Sequence, residues 1–432
     1  MTIPLVAPVR QTLSQPAITD VADETRKQWN DSSIAQRIKS GDRVGIGVGS
    51  RGIANLETIT QATIDFVRDL GAKPFIVAAM GSHGGANADG QRELLAEYGI
   101  SEANLGVEVK TDMNAEQVGV NSWGEPVWWD RNALNADAVL TLSRIKAHTD
   151  FRGPFESGIA KMIVIGLGKR EGASQHHRWG VRGLRDMMPE TAKILIEKTP
   201  FLAGLAILEN AKEETALLRV VEKENLFEEE PKLLNQAKSI MGRLPFDELD
   251  LLVIGEIGKN YSGAGIDPNV IGRLLVENQE EFETPRITRI CALDVSPESH
   301  GNATGVGLAD LTTTRLLDAI DPIPFRMNNL TACFLWRSKL PIDFPNDREC
   351  IEMGIQTCWQ PDVDKMRMVV IPNTLEVADL FVSAPLLDEV SQSPEMEQCG
   401  ELITLPFDEK NNLRQAELFP ESVQGRRQKE RP

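Results

Sequence analysis

Short apolar runs alternate with helical patterns along the first 250 residues. Arg43 to Gly47 reads as a strand. From Leu56 the apolar positions Ile59, Ala62, Phe66 and Leu70 recur at helical spacing, and Gly71 stands where a C-cap belongs. A strand at Phe75 to Ala79, a helix around Gln91 to Tyr98, a strand at Ala138 to Leu142 and an apolar run at Leu202 to Leu208 follow. A charged, helix-prone stretch then leads into a new strand at Leu251 to Gly258. The second half repeats the alternation, with strands near Ile287 to Leu293 and Met368 to Ile371 and helices near Leu308 to Ala319 and Cys350 to Thr357. Such alternation predicts an α/β fold of two domains with mainly parallel sheets, 1–245 and 246–432, the second ending in a polar, disordered tail.

Composition narrows the class of partner. At 432 residues the chain exceeds one ordinary core, and 41% hydrophobic with 25% charged residues suits a globular protein. Its net charge of -18, from 46 basic and 64 acidic residues, argues against nucleic acid and anionic membrane as partners, since both are polyanions. The five cysteines lack the short pair spacings of zinc or redox sites and read as reduced thiols. With no apolar run of about 18 residues and no basic-then-apolar leader, the expected location is the cytoplasm.

Parallel α/β sheets bind ligands at the carboxyl ends of their strands, and candidate chemistry gathers there. His83 in "GSHGG", His148 in "SRIKAHTDF" and the pair His176-His177 all follow strand-like runs. Any one of them also reads as a hydrogen-bonded loop residue; three at strand ends of one sheet are able to converge on one cleft. Arg51 lies past the first strand and before a helix, where it suits a bidentate grip on a carboxylate or a surface ion pair with Glu57 or Asp89.

The segment "SGIAKMIVIGLGKREGASQHH" has two readings. As a strand running into Gly166, Gly168 and Gly172 it suggests an NAD-dependent oxidoreductase, although its spacing is GxGxxxG and no acidic residue ends a strand about 20 residues on. Its Lys161 and His177, sixteen residues apart, give the second reading. Together with "FESGIAK", "GSHGG" and His148, that spacing resembles the nickel-dependent lactate racemase family, the LarA-like 2-hydroxy acid racemases and epimerases.

The resemblance spans Arg43 to about Asp310, and what it implies is specific. The activity would be a racemase or epimerase inverting the Cα of a 2-hydroxy acid by reversible hydride transfer, an isomerase with the site in the cleft between the domains. Its cofactor would be the nickel-pincer nucleotide, nickel with pyridinium-3,5-bisthiocarboxylic acid mononucleotide, supplied by cofactor-biosynthesis enzymes. Lys161, after the Ser157-Gly158 turn, would carry the cofactor and His177 would ligate nickel. His83 and His148 would be the two catalytic bases. Arg51 would bind the substrate carboxylate, with Lys259 of "GEIGKNYSGAG" acting from the second domain. His148 follows Ile-Lys-Ala where the family's best-known members have Glu-Pro. A non-catalytic carboxylate-binding protein with the same fold is the other alternative.

Overall fold

The computed structural model describes residues 2–13, 15–49, 52–424 and 427. Two compact units divide the chain, Gln15–Met241 and Met1–Ser14 with Gly242–Pro432. Each is built on its own mainly parallel sheet with helices, so the α/β class expected from the alternation is present twice.

The Gln15–Met241 unit holds a six-stranded sheet in the order Val109–Lys110, Lys73–Ala78, Arg43–Val48, Ala138–Arg144, Phe201–Glu209, Thr215–Glu222. The first five strands are parallel; the last returns antiparallel. The chain winds outward from Arg43–Val48 in one direction and then resumes on its other side with Ala138–Arg144. The topological switch point therefore lies between these two strands, where such sheets bind ligands. Val44, Ile46, Leu140 and Leu142 are fully buried between the helices. The helix expected from the Ile59, Ala62, Phe66 spacing is Leu56–Asp69, and it turns that face inward. Trp29, itself fully buried, stacks on Phe66 at 5.7 Å and donates its indole N–H to Thr63 Oγ1 at 3.0 Å. A core aromatic of this kind is worth about 3–5 kcal/mol against alanine.

The second unit carries an eight-stranded sheet. Its parallel part runs Ile342–Phe344, Leu311–Thr313, Arg286–Ala292, Glu248–Ile254, Met368–Ile371, and three antiparallel strands extend it. Two expectations are corrected here. The opening residues do not share a unit with 15–241, because Val6–Gln11 pairs antiparallel with Asp379–Ser383 on one side and with Met396–Gln398 on the other. The stretch Leu308 to Ala319 is not one helix: Leu311–Thr313 is a short strand, and only Thr314–Asp318 is helical. Thr312 and Thr313 hydroxyls donate to the carbonyls of Ala292 and Leu293 at 2.8 and 2.7 Å, which binds this β-branched run to its neighbour strand. Most of the polar tail's last residues lie outside the described residues. No described helix is long and apolar enough to cross a membrane.

Candidate active site

His148 emerges from the switch point. The Ala138–Arg144 strand continues through Ile145 into a loop closed by a bridge, in which Lys146 and Ser157 each donate N–H to the other's carbonyl at 3.1 and 3.2 Å. That bridge sets the His148 loop beside the Ser157-Gly158 turn. Lys161 ends the short helix Ile159–Lys161 that follows, and its Nζ lies 2.7 Å from His148 Nε2. The N–H of Asp150 donates to His148 Nδ1 at 3.1 Å, so the ring is held by hydrogen bonds at both nitrogens. Burial pushes His148 well below the ordinary histidine range, and the charge of Lys161 pushes it further. The ring is therefore neutral at pH 7.

The apolar run Met162 to Ile165 is helical. Met162–Gly166 forms a widened π turn in which the Leu167 N–H reaches the Met162 carbonyl at 2.9 Å, and Lys169–Arg178 follows as α-helix. A dinucleotide turn needs a strand ahead of its glycines, so the oxidoreductase reading of Gly166 to Gly172 loses its structural basis. Gly168 serves close packing instead: a Cβ there would stand 2.0 Å from the Val164 carbonyl oxygen. Lys169 fixes the break between the two helical stretches. Its Nζ, fully buried, pairs with buried Asp130 at 2.9 Å and donates to the Ala78 carbonyl at 2.7 Å.

Helix Lys169–Arg178 ends on both histidines, and they differ. His176 is buried, with Nδ1 against the Gly172 carbonyl at 2.8 Å and Nε2 3.3 Å from Thr191 Oγ1, and burial pushes it down to about 4. It is a packing residue. His177 is half-buried; its Nδ1 donates to the Ala173 carbonyl at 2.7 Å. That bond places the ring proton on Nδ1 and leaves the Nε2 lone pair for a ligand, the usual arrangement of a metal-binding histidine. Burial first, and then Lys161, hold His177 below its ordinary value, so the lone pair persists at pH 7. The mutual electrostatic effects of Lys161, His148 and His177 mark one site.

The other expected residues fall as follows. His83 lies exposed in the loop after Lys73–Ala78, where it opens the turn Gly84–Ala86. Arg51 lies outside the described residues. Lys259 sits half-buried in the second unit after Glu248–Ile254; its N–H donates to Ser299 Oγ at 2.8 Å and its Nζ to the Gly263 carbonyl. The described residues hold no cluster of three or more His, Cys, Asp or Glu suited to a metal ion. A single histidine donor beside a lysine-borne group is compatible with that, since the remaining donors would come from the cofactor.

Reading the sequence missed two buried carboxylates. Glu156 accepts the His148 N–H at 2.6 Å and the Lys238 ammonium at 2.7 Å. Glu230, 1% exposed, accepts the Ala160 N–H at 2.9 Å, and its Oε1 occupies the space a Gly158 Cβ would need, at 2.2 Å. Burial lifts Glu230 to about 7, opposed by the N–H groups of Ala160 and Ile159. A signal for Glu230 was present: Leu226, Glu230, Leu233, Leu234 and Ala237 form the buried face of one helix, so an acid stood at an apolar spacing.

Comparison with known proteins points to one family. The family profile of the lactate racemase N-terminal domain matches residues 29–185, a span that contains His83, His148, Lys161 and His177 but not Lys259. No curated protein matches the chain. Among solved structures, the lactate racemase apoprotein from Thermoanaerobacterium thermosaccharolyticum superposes with a TM-score of 0.51 at 11% identity, covering 84% of this chain and 93% of that one. At that identity the likeness is one of fold. The resemblance to the lactate racemase family is thus borne out at the level of the family profile, which residues 29–185 of this chain match.

Proposed function

We propose that the protein is a racemase or epimerase of a 2-hydroxy acid that works with a lysine-bound nickel-pincer nucleotide. The observation that carries this is the meeting of Lys161 Nζ and His148 Nε2 at 2.7 Å, with His177 Nδ1 tied to the Ala173 carbonyl so that Nε2 keeps its lone pair. The residues fit the group: Lys161 Nζ is held at the end of its short helix against His148, and His177 is tied in the tautomer that ligates a metal. When bound, the cofactor supplies an electrophilic carbon that takes up the substrate's Cα hydrogen and returns it.

The protein's own groups handle the proton and the carboxylate. With its pKa depressed by burial, His148 stays unprotonated at neutral pH and is able to take the substrate hydroxyl proton as the 2-keto acid forms. Accepting on Nε2 requires the tautomer with the ring proton on Nδ1, and the imidazolium that then forms lies beside the Asp150 carboxylate, 3.7 Å from Nδ1. His83, exposed in the loop after Lys73–Ala78 two strands away, is the proposed base for the opposite configuration. For the substrate carboxylate the proposed partner is Arg51, whose side-chain chemistry suits paired hydrogen bonds.

Intact mass of protein co-produced with the cofactor-making enzymes tests the reading. The expected result is a single covalent addition mapping to Lys161. Full isomerase activity with an unmodified Lys161 would overturn it.

A further inference from the structure

One helix reaches both loops of the site. Leu226–Ile240 presents Glu230, Leu234 and Lys238 at four-residue spacing, hence along one face. Glu230 accepts the Ala160 N–H one residue before Lys161. Lys238, two turns further on, donates to Glu156 at 2.7 Å, and the other oxygen of Glu156 accepts the His148 N–H at 2.6 Å. Glu156 has no exposed side-chain surface, so its charge is matched inside the protein by Lys238. The helix thus grips the backbone at the lysine by one carboxylate and the backbone at the histidine through an ion pair.

We infer that Glu230 and Lys238 are positioning residues that together set the contact between Lys161 and His148, and with it the capacity of Lys161 to receive the cofactor. Neither touches substrate or cofactor. Each fixes one partner of a 2.7 Å contact that spans thirteen residues of chain, and one helix carries both fixing points two turns apart. Gly158 belongs to the same device, since any side chain there would displace Glu230. The inference rests on the function proposed above for the role of Lys161, while the clamp itself is defined without the cofactor.

The test uses full-length chain with Glu230→Ala, Glu230→Gln, Lys238→Met and Lys238→Arg, and reads two quantities. The first is the fraction of Lys161 carrying the covalent addition after co-production with the cofactor pathway. It should fall about tenfold, the equivalent of about 1.4 kcal/mol, in Glu230→Ala and Lys238→Met. Glu230→Gln, which keeps an acceptor for Ala160, and Lys238→Arg, which keeps the charge for Glu156, should restore most of it. The second is the ring nitrogen resonances of His148 in cofactor-free protein labelled with 15N-histidine. These should move in Glu230→Ala and Lys238→Met as the lysine contact is lost, and stay in place in the conservative pair. General destabilisation would not move a histidine tautomer in protein that remains folded. Lys238 is one-third exposed, so its variants keep the test available if Glu230→Ala does not fold. Unchanged addition and unchanged His148 resonances in both disruptive variants would overturn the inference. If wild-type Lys161 carries no addition, the proposed function fails, and the His148 resonances alone then decide for or against the clamp.

Discussion

Glu230 allows a test of the buried site through stability alone. Its carboxyl is 1% exposed, and burial raises it from 4.5 to about 7, with only the Ala160 and Ile159 N–H groups opposing that rise. Between pH 4.5 and 7 the folded protein therefore keeps a proton that the unfolded chain has already lost. Stability falls with pH wherever the folded state binds more protons, so this group's contribution declines through that window and is level above it. Each pH unit is worth 1.36 kcal/mol, which makes the whole decline about 3 kcal/mol. Glu230→Gln cannot ionise and should lack the decline. Urea unfolding followed by tryptophan fluorescence at pH 5, 6, 7 and 8 measures it, with Trp29 and Trp129 as fully buried reporters in the same unit. The wild-type stability minus that of Glu230→Gln should drop by about 2–3 kcal/mol from pH 5 to pH 8. Subtraction cancels other titrating groups, among them Asp347 of the second unit, which burial raises to about 6. A difference constant to within about 0.5 kcal/mol would show that Glu230 ionises as an ordinary exposed acid, and the buried contact with the lysine turn would be wrong.

Other expectations follow from the same geometry. Lys169→Met leaves Asp130 charged, buried and unpaired, so it should cost about 3–5 kcal/mol, read as a lower urea midpoint; a loss below about 1 kcal/mol would mean the pair is solvated. His177→Ala should abolish nickel retention, measured as metal per chain, while the covalent addition on Lys161 survives; nickel retained at the wild-type level would remove His177 as ligand. His148→Ala should lower the isomerisation rate by about 10²–10⁴, the usual contribution of a general base, whereas His176→Gln should leave the rate within a few fold. Racemisation in deuterated water should leave Cα largely unlabelled if its hydrogen is returned directly, and extensive labelling would point to proton abstraction instead.

The sequence was informative wherever a single local rule decided the outcome. The longer parallel strands, from Arg43–Val48 to Met368–Ile371, and the helix Leu56–Asp69 follow from runs and spacings, whereas the short strands Val109–Lys110, Leu311–Thr313 and Ile342–Phe344 do not. Strand ends then located His148 beside the switch point without any knowledge of the packing. The failures share a different cause, namely partners distant in the chain. Val6–Gln11 pairs with residues at least 369 positions away, so nothing nearby assigns it to the second unit. Thr312 and Thr313 are strand because the carbonyls of Ala292 and Leu293 accept their hydroxyls. Met162 to Ile165 is the instructive case, since a four-residue apolar run is compatible with a buried strand or a buried helix. What decides for helix is anchoring at both ends. Glu230 caps the N–H of Ala160 from seventy residues away, and Lys169 is tied to Asp130 and the Ala78 carbonyl just beyond. Under the proposed function, the same anchors that choose the helical state would set the positions from which Lys161 and His177, sixteen residues apart, meet the cofactor. The polar residues at apolar spacings were thus the informative ones, because burying a carboxylate or an ammonium is costly unless a partner meets it.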